Sequence, residues 1–320
     1  MKKIDITDIR GFRIGNAEDK QAATGVTAII AEKGAVAGVD VRGGGPATRE
    51  TDLLRPENMV QQINAVVLSG GSAFGLEAGC GVMNYLEQKG LGFDVGVGIV
   101  PIVCGASLFD LVVGESKVRP DREMGYRAAE NAFDGIFETG NHGAGTGASV
   151  GKYKGPKRMM KSGLGTSAIE VGELQIGAIT AVNALGDVLD QKGRQIAGLL
   201  SEDGSEMLST SEAVKDDIAR MFNVFKGNTT ISCILTNGKL TKAECTKLAA
   251  IAHDGYARAI RPVHTTADGD TIFVMATGET EVNFDALAIM ATEQISAAIE
   301  NAVLRAEPAY GLKAASDFLK

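Results

Sequence analysis

Residues 229–236, TTISCILT, alternate their side chains at period two and are rich in β-branched residues, a pattern that fits a pleated strand. A polar, turn-forming run ending in Gly227-Asn228 leads straight into it, so Thr229 stands at a strand mouth. A hydroxyl there can attack the carbonyl of the preceding residue. After cleavage the freed α-amine lies beside it as a built-in base, one of the standard ways of activating threonine. Ser and Thr begin many strands, and an ordinary loop-to-strand junction has the same residues.

The flanking segments suit either reading. Residues 196–228 are acidic, Ser-rich and Met-containing, with one helix expected over Ser211–Phe222 and then the loop Lys226-Gly227-Asn228. This is the one convincing linker, and exposed polar loops tolerate cleavage. Beyond the strand, Thr241 and Glu244 form a capping box that opens a helix running to about Ile260, which Pro262 ends. The run from His264 to Asp270 leads into the strand TIFVMAT, and Asn283 caps a last helix reaching Arg305. Its Phe284, Leu287, Met290, Ile295, Ile299 and Val303 form a core-facing stripe.

Earlier in the chain, residues 23–41 read as a hairpin with Glu32-Lys33-Gly34 as its turn, followed by the loop Gly43-Gly44-Gly45-Pro46. Asn64–Leu68 reads as a buried strand entering the turn Ser69-Gly70-Gly71-Ser72 and a helix over Ala73–Gln88. That turn can present backbone N–H groups to an anion, or simply pack the helix on the sheet. It is not a hydrolase nucleophile elbow, because Phe74 stands where that motif needs glycine. Residues 97–104 read as another buried strand, and a helix is expected from about Arg122 to Phe133. The run from Gly143 to Lys152 matches neither nucleotide-binding glycine motif, since residue 146 is Thr and residue 153 is Tyr. What it offers is a side-chain-poor loop delivering Lys152, with Lys161 following. Strands are expected in SAIEV and IGAITAVNALGDVLD, the second interrupted by Asn183, whose amide, if buried, must be satisfied by backbone or ligand.

The 320 residues fit one large α/β domain as easily as two small ones, and 41 glycines with 7 prolines and no tryptophan imply many tight turns and close backbone approaches. A net charge of −8 without a Lys/Arg-rich run leaves no footprint for nucleic acid or an anionic membrane surface. No apolar run approaches the roughly eighteen residues of a membrane span. The start, MKKIDITDIRGF, lacks the apolar core of a secretory signal. Cys80, Cys104, Cys233 and Cys245 form no CxxC pair, which argues against a zinc site or disulfide framework and for a reduced, cytoplasmic setting. No metal or other cofactor is expected.

Asp268 and Asp270 are two apart at a strand start, which on extended backbone puts both on one face. Paired carboxylates repel, so at least one has a raised pKa or a cation or hydroxyl beside it; a solvated Asp-Gly-Asp turn is the plainer alternative. An EF-hand is excluded by Ile272 at the fifth loop position. His142, His253 and His264 have no surrounding motif that names a partner, and Cys233 reads as core.

Taken together, LSGGSAFGLEAGCGV (68–82), GAGTGASVGK (143–152), AVNALGDVLD (181–190), GNTTISCILTN (227–237) and HTTADGDTIF (264–273) resemble the L-aminopeptidase/D-esterase family, with its β-peptidyl aminopeptidases and nylon-oligomer (6-aminohexanoate-oligomer) hydrolases. The blocks fall in family order over nearly the whole chain. The resemblance implies a four-layer αββα sandwich of the N-terminal-nucleophile hydrolase kind, one domain over residues 1–320, that cuts itself between Asn228 and Thr229 into residues 1–228 and 229–320. It implies assembly into a homo-oligomer, with a tetramer favoured, and a small peptide or amide substrate. Thr229 becomes the nucleophile, Asp268 and Asp270 match the acidic pair that orients it, and Lys152 and Asn183 match a lysine and asparagine placed at it, the latter as oxyanion donor. Phe109 departs from the nylon-oligomer hydrolases, which have tyrosine there; it removes a hydroxyl and counts against that activity. Two other functions suit the same residues: an acyltransferase resembling ornithine acetyltransferase, and a glycine-rich assembly protein that never matures.

Overall fold

The computed structural model describes residues 1–217 and 227–319. Its organising element is the segment whose pattern suggests a hairpin. Thr24–Val41 is instead one strand of 18 residues, with a register shift between Ile30 and Ala35 where Gly34 takes φ +77°. Its first half pairs with Arg13–Asp19 and with Gln62–Ser69, whereas residues 36–41 pair with Thr271–Thr280. Glu32-Lys33-Gly34 therefore marks a bulge rather than a reversal. A bulge bends and twists a strand without ending it, and here both halves find apolar partners far away in sequence.

The strand runs through one ten-stranded hydrogen-bonded sheet and joins its two layers. One contains Arg13–Asp19, the first half of the long strand, Gln62–Ser69, Val103–Ser107 and the short edge Thr48–Arg49. The other runs Lys2–Ile4, Leu164–Val171, Leu174–Ala181, Ile231–Gly238, Thr271–Thr280 and then the second half of the long strand. Period two sorts their side chains. Ile29, Val66, Leu68 and Cys104 from the first layer meet Ile179, Ile231, Cys233, Leu235, Phe273 and Met275 from the second in one shared core. Burying each large apolar side chain of this kind stabilises by about 1.5–3 kcal/mol.

The alternate residues face helices. Val26, Ala28, Ile30, Ala65 and Val67 pack on α1 (Ala78–Gln88) and α2 (Arg122–Asp134). A short helix, α3, spans Thr210–Asp216. Ile176, Ala178, Ile234, Ile272 and Val274 pack on α4 (Lys242–Ala259) and α5 (Phe284–Arg305). The result is a four-layer αββα sandwich. Both C-terminal helices begin where their caps direct: Thr241 and Glu244 close a reciprocal capping box, and the Asn283 side chain accepts from Ala286 N–H at 2.9 Å. Of the α5 stripe, Leu287, Ile295, Ile299 and Val303 are buried and Phe284 and Met290 pack at its margin.

Other boundaries move. The strand expected at 97–104 begins only at Val103, because Pro101 has no N–H to give a ladder; Ile99–Val100 forms a small hairpin with Phe93–Asp94. The helix expected from Ala73 opens as a 3-10 segment, Ser72–Glu77, before α1. Leu174–Ala181 and Asp187–Leu189 are separate strands, and Asn183 lies between them. The supposed linker carries the strands Gln195–Ala197, Leu199–Leu200 and Met207–Leu208 as well as α3. The rest of the helix expected to Phe222, and Lys226, lie outside the described residues. Among the described residues no helix is long and apolar enough to cross a membrane.

Candidate active site

The strand Ile231–Gly238 runs parallel to Thr271–Thr280, with Ile231 opposite Thr271. The pairing extends backwards past the formal strand starts. Asn228 N–H donates to Ala267 O at 3.3 Å, Gly269 N–H to Asn228 O at 2.9 Å and Thr271 N–H to Thr230 O at 3.1 Å. On the other side Thr229 N–H donates to Asn183 O at 3.0 Å. Thr229 is thus fixed through its backbone before any side chain acts. Its hydroxyl donates to the carbonyl oxygen of Asn228, the same oxygen that Gly269 N–H holds. The junction expected in an exposed loop is buried: Asn228 is 1% and Thr229 4% exposed.

Gly269 cannot be another residue without disturbing this arrangement. A Cβ there would stand 2.5 Å from Thr229 Oγ1 and 2.9 Å from Gly45 O. The same loop is braced by the Gly43-Gly44-Gly45 run, whose amides reach Asp270 O at 3.3 Å, Thr265 O at 3.3 Å and Asp268 O at 2.8 Å. By residue pattern alone that run is a plain loop. Its signal was available in three successive glycines, which allow backbone to lie against backbone.

The side chains of the two aspartates take different surroundings. Asp270 Oδ1 accepts Thr230 N–H at 2.8 Å, and its Oδ2 accepts His264 N–H at 3.1 Å and faces His264 Nδ1 at 2.9 Å. Asp268 Oδ2 accepts the Thr265 amide at 2.9 Å and the Thr265 hydroxyl. Burial, and then the neighbouring Asp270 charge, push the Asp268 carboxyl up from its ordinary value. The pair is therefore buried and partnered, not a solvated turn.

Lys152 is fully buried. Its Nζ donates to the side-chain oxygen of Asn183, to Asn183 O at 3.1 Å and to Gly227 O at 3.3 Å. Burial drives its pKa down to about 7 against the opposing pull of Asp268 and Asp110. Asn183 Oδ1 also accepts Ser149 N–H at 3.1 Å, and its Nδ2 donates to Phe109 O at 2.9 Å. The amide expected as an oxyanion donor is thus occupied by backbone, and the donor on the Asn228 oxygen is Gly269 N–H. The Phe109 ring lies over Gly227, where a Cβ would come within 2.5 Å of it.

The structure brings together Asn228, Thr229, Lys152, Asn183, Asp268 and Asp270, although they come from four separate stretches of chain. Of the histidines, His264 joins them through Asp270; His142 instead bridges Glu18 and Glu138 at 2.9 and 2.8 Å. His253 is completely buried on α4 rather than displayed on a helix surface. Lys161, expected as a second approaching cation, is buried with Nζ on Gly145 O at 3.0 Å and Ala148 O at 3.2 Å, where it ties the glycine loop to itself.

A family model, Peptidase family S58, matches residues 5–316. An uncharacterized aminopeptidase of Mycobacterium leprae is 40% identical over 300 residues, covering 86% of this chain and 79% of that one. A 6-aminohexanoate-oligomer endohydrolase of Agromyces is 31% identical over 279 residues, covering 86% and 75%. In three dimensions the L-aminopeptidase D-Ala-esterase/amidase of Ochrobactrum anthropi, a variant of the Ntn-hydrolase fold, superposes with a TM-score of 0.67 at 19% identity, over 94% of this chain and 86% of that one. Fold and relatives together define a hydrolase of peptide or amide bonds on an Ntn-hydrolase scaffold. The chain belongs to peptidase family S58, the L-aminopeptidase/D-esterase family.

Proposed function

We propose that the protein matures by cutting its own Asn228–Thr229 bond and then hydrolyses peptide or peptide-like amides through an acyl intermediate on Thr229. The observation that carries this reading is the placing of the Thr229 hydroxyl against the Asn228 carbonyl, whose oxygen already accepts Gly269 N–H at 2.9 Å. Attack by Oγ on that carbonyl carbon puts negative charge on an oxygen with a donor in position, the arrangement that stabilises tetrahedral intermediates of acyl transfer. Lys152, whose ammonium form burial disfavours, takes the Thr229 hydroxyl proton and returns it to the Thr229 nitrogen as the C–N bond breaks; water then hydrolyses the resulting ester, leaving the Asn228 carboxyl group and the free Thr229 hydroxyl and amine.

The mature enzyme then uses the freed α-amine of Thr229 as its base, the substrate amide taking the place that the Asn228 carbonyl held. Asp270, through Thr230 N–H, keeps the nucleophile strand in register, and Asn183 keeps Lys152 on the site. Intact-mass measurement of wild type beside Thr229→Ala tests the reading. Wild type should give fragments of residues 1–228 and 229–320, and the variant one full-length chain without amidase activity. An uncut wild type, or a variant that is cut and active, would overturn it.

A further inference from the structure

We propose that His264 is a positioning residue for Asp270: its backbone and ring N–H groups fix one oxygen of that carboxylate so that the other holds Thr230 N–H, and with it the reacting Thr229, in place. This rests on the function proposed above. The backbone of His264 is left-handed, φ +56°, a conformation unusual for a residue other than glycine. It brings both His264 N–H and Nδ1 onto one oxygen of Asp270, at 3.1 and 2.9 Å, while the other oxygen takes Thr230 N–H at 2.8 Å. A ring nitrogen that faces a carboxylate already taking two amides is a donor, so in the neutral ring Nε2 is bare.

That Nε2 is buried and has no hydrogen-bond partner among the described residues. The Tyr256 ring stacks on His264 at 5.8 Å and the His253 ring meets it edge-on at 4.7 Å, both from α4. His253 in turn sets Nε2 3.2 Å from Asp40 O, leaves its buried Nδ1 without a hydrogen-bond partner among the described residues, and is pushed toward the neutral form by burial and by His264, with Asp40 and Arg42 beyond it. Left-handed backbone and buried unsatisfied nitrogens each destabilise, and such features concentrate where a site needs them. Here they purchase nothing for packing that an apolar ring would not also supply; what they add is one N–H on Asp270.

The test is the rate at which freshly synthesised chain yields the 229–320 fragment, followed by intact mass. His264→Gly keeps the left-handed backbone and removes the donor; it should slow cleavage about 10- to 100-fold, the worth of one hydrogen bond to a charged group. His264→Asn, which tolerates positive φ and sets an amide N–H where Nδ1 was, should return toward the wild-type rate, whereas His264→Gln, whose amide reaches the Nε2 position, should stay slow. In an Asp270→Asn background, His264→Gly should add no further loss. The inference is overturned if His264→Gly cuts at the wild-type rate, if Asn restores no more than Gln, or if the losses with Asp270→Asn simply add. The Asn and Gln pair decides the matter even if the glycine variant misfolds. An uncut wild type overturns the proposed function and this inference with it; a normally cut wild type beside a normally cut His264→Gly overturns the inference alone.

Discussion

Lys161 shows how much a single residue can reveal about the interior. It is fully buried among carbonyl oxygens, and burial drives its pKa from 10.5 down to about 7. Between those values the unfolded chain holds a proton that the folded chain has released, so this group makes stability rise with pH across the window. Its penalty is complete below about 7, where both states are charged. The slope it adds is about 1.4 kcal/mol per pH unit. Urea melts of the Thr229→Ala chain, with and without Lys161→Met, should therefore differ in slope by that amount between about pH 7 and 8.5. Equal slopes would show that Lys161 is charged in the folded state. The buried thiols of Cys104 and Cys233, pushed upward by burial, act with the opposite sign at higher pH, which sets the upper limit of the comparison.

Among the elements, those with a closed local logic were readable. The α4 and α5 starts follow from Thr241, Glu244 and Asn283, because a cap is a contact between residues three apart and needs nothing else. Residues 24–41 form one strand rather than a hairpin because Lys33-Gly34 suits a bulge as well as a turn, and which one forms depends on strands from 62–69 and 271–276. The Gly43–Gly45 run and the 265–270 loop depend on each other in the same way. A Cβ on Gly43 would meet Asp268 O at 2.3 Å and Asp270 N at 2.4 Å, both backbone atoms that cannot step aside. Gly43→Ala should slow self-cleavage at least about tenfold, since a displacement near 1 Å at a reacting group costs that much or more. Thr241→Ala, on an exposed cap, should cost about 1 kcal/mol of stability and leave the cleavage rate unchanged. Parallel kinetics and melts of the two variants separate damage to the site from loss of stability; equal cleavage rates would remove the glycine run from the site.

At the scale of the whole molecule, the proposed cut does not divide the fold. Ile231–Gly238, from the fragment after Thr229, lies between Leu174–Ala181, from the fragment before it, and Thr271–Thr280; the latter pairs onward with residues 36–41 of the first fragment. The shared core likewise mixes Ile29, Val66 and Ile179 with Cys233, Leu235 and Phe273. Mature protein should therefore show two polypeptides on a denaturing gel, the smaller of 92 residues (320 − 228), and one species in native size exclusion. Separation of the fragments without denaturant would contradict the interleaved sheet.

The strand-like character of the segment after Asn228, the caps and stripes of the C-terminal helices and, through the ordered blocks, the family and the αββα architecture are legible from residue order alone. These rest on local hydrogen bonds, periodicities and residue runs that are written in consecutive positions. Folding adds that Asn228 and Thr229 are buried rather than in an exposed linker, that Gly269 N–H meets the Asn228 oxygen while the Asn183 amide meets Phe109 O, and that His264 stands behind Asp270. Those residues meet through sheet pairing and loop packing, from 6 positions apart for His264 and Asp270 to 74 for Asn183 and Phe109. Which buried donor reaches which acceptor is settled by how the two sheet layers and their loops fill space together, and no single stretch of the chain contains that information.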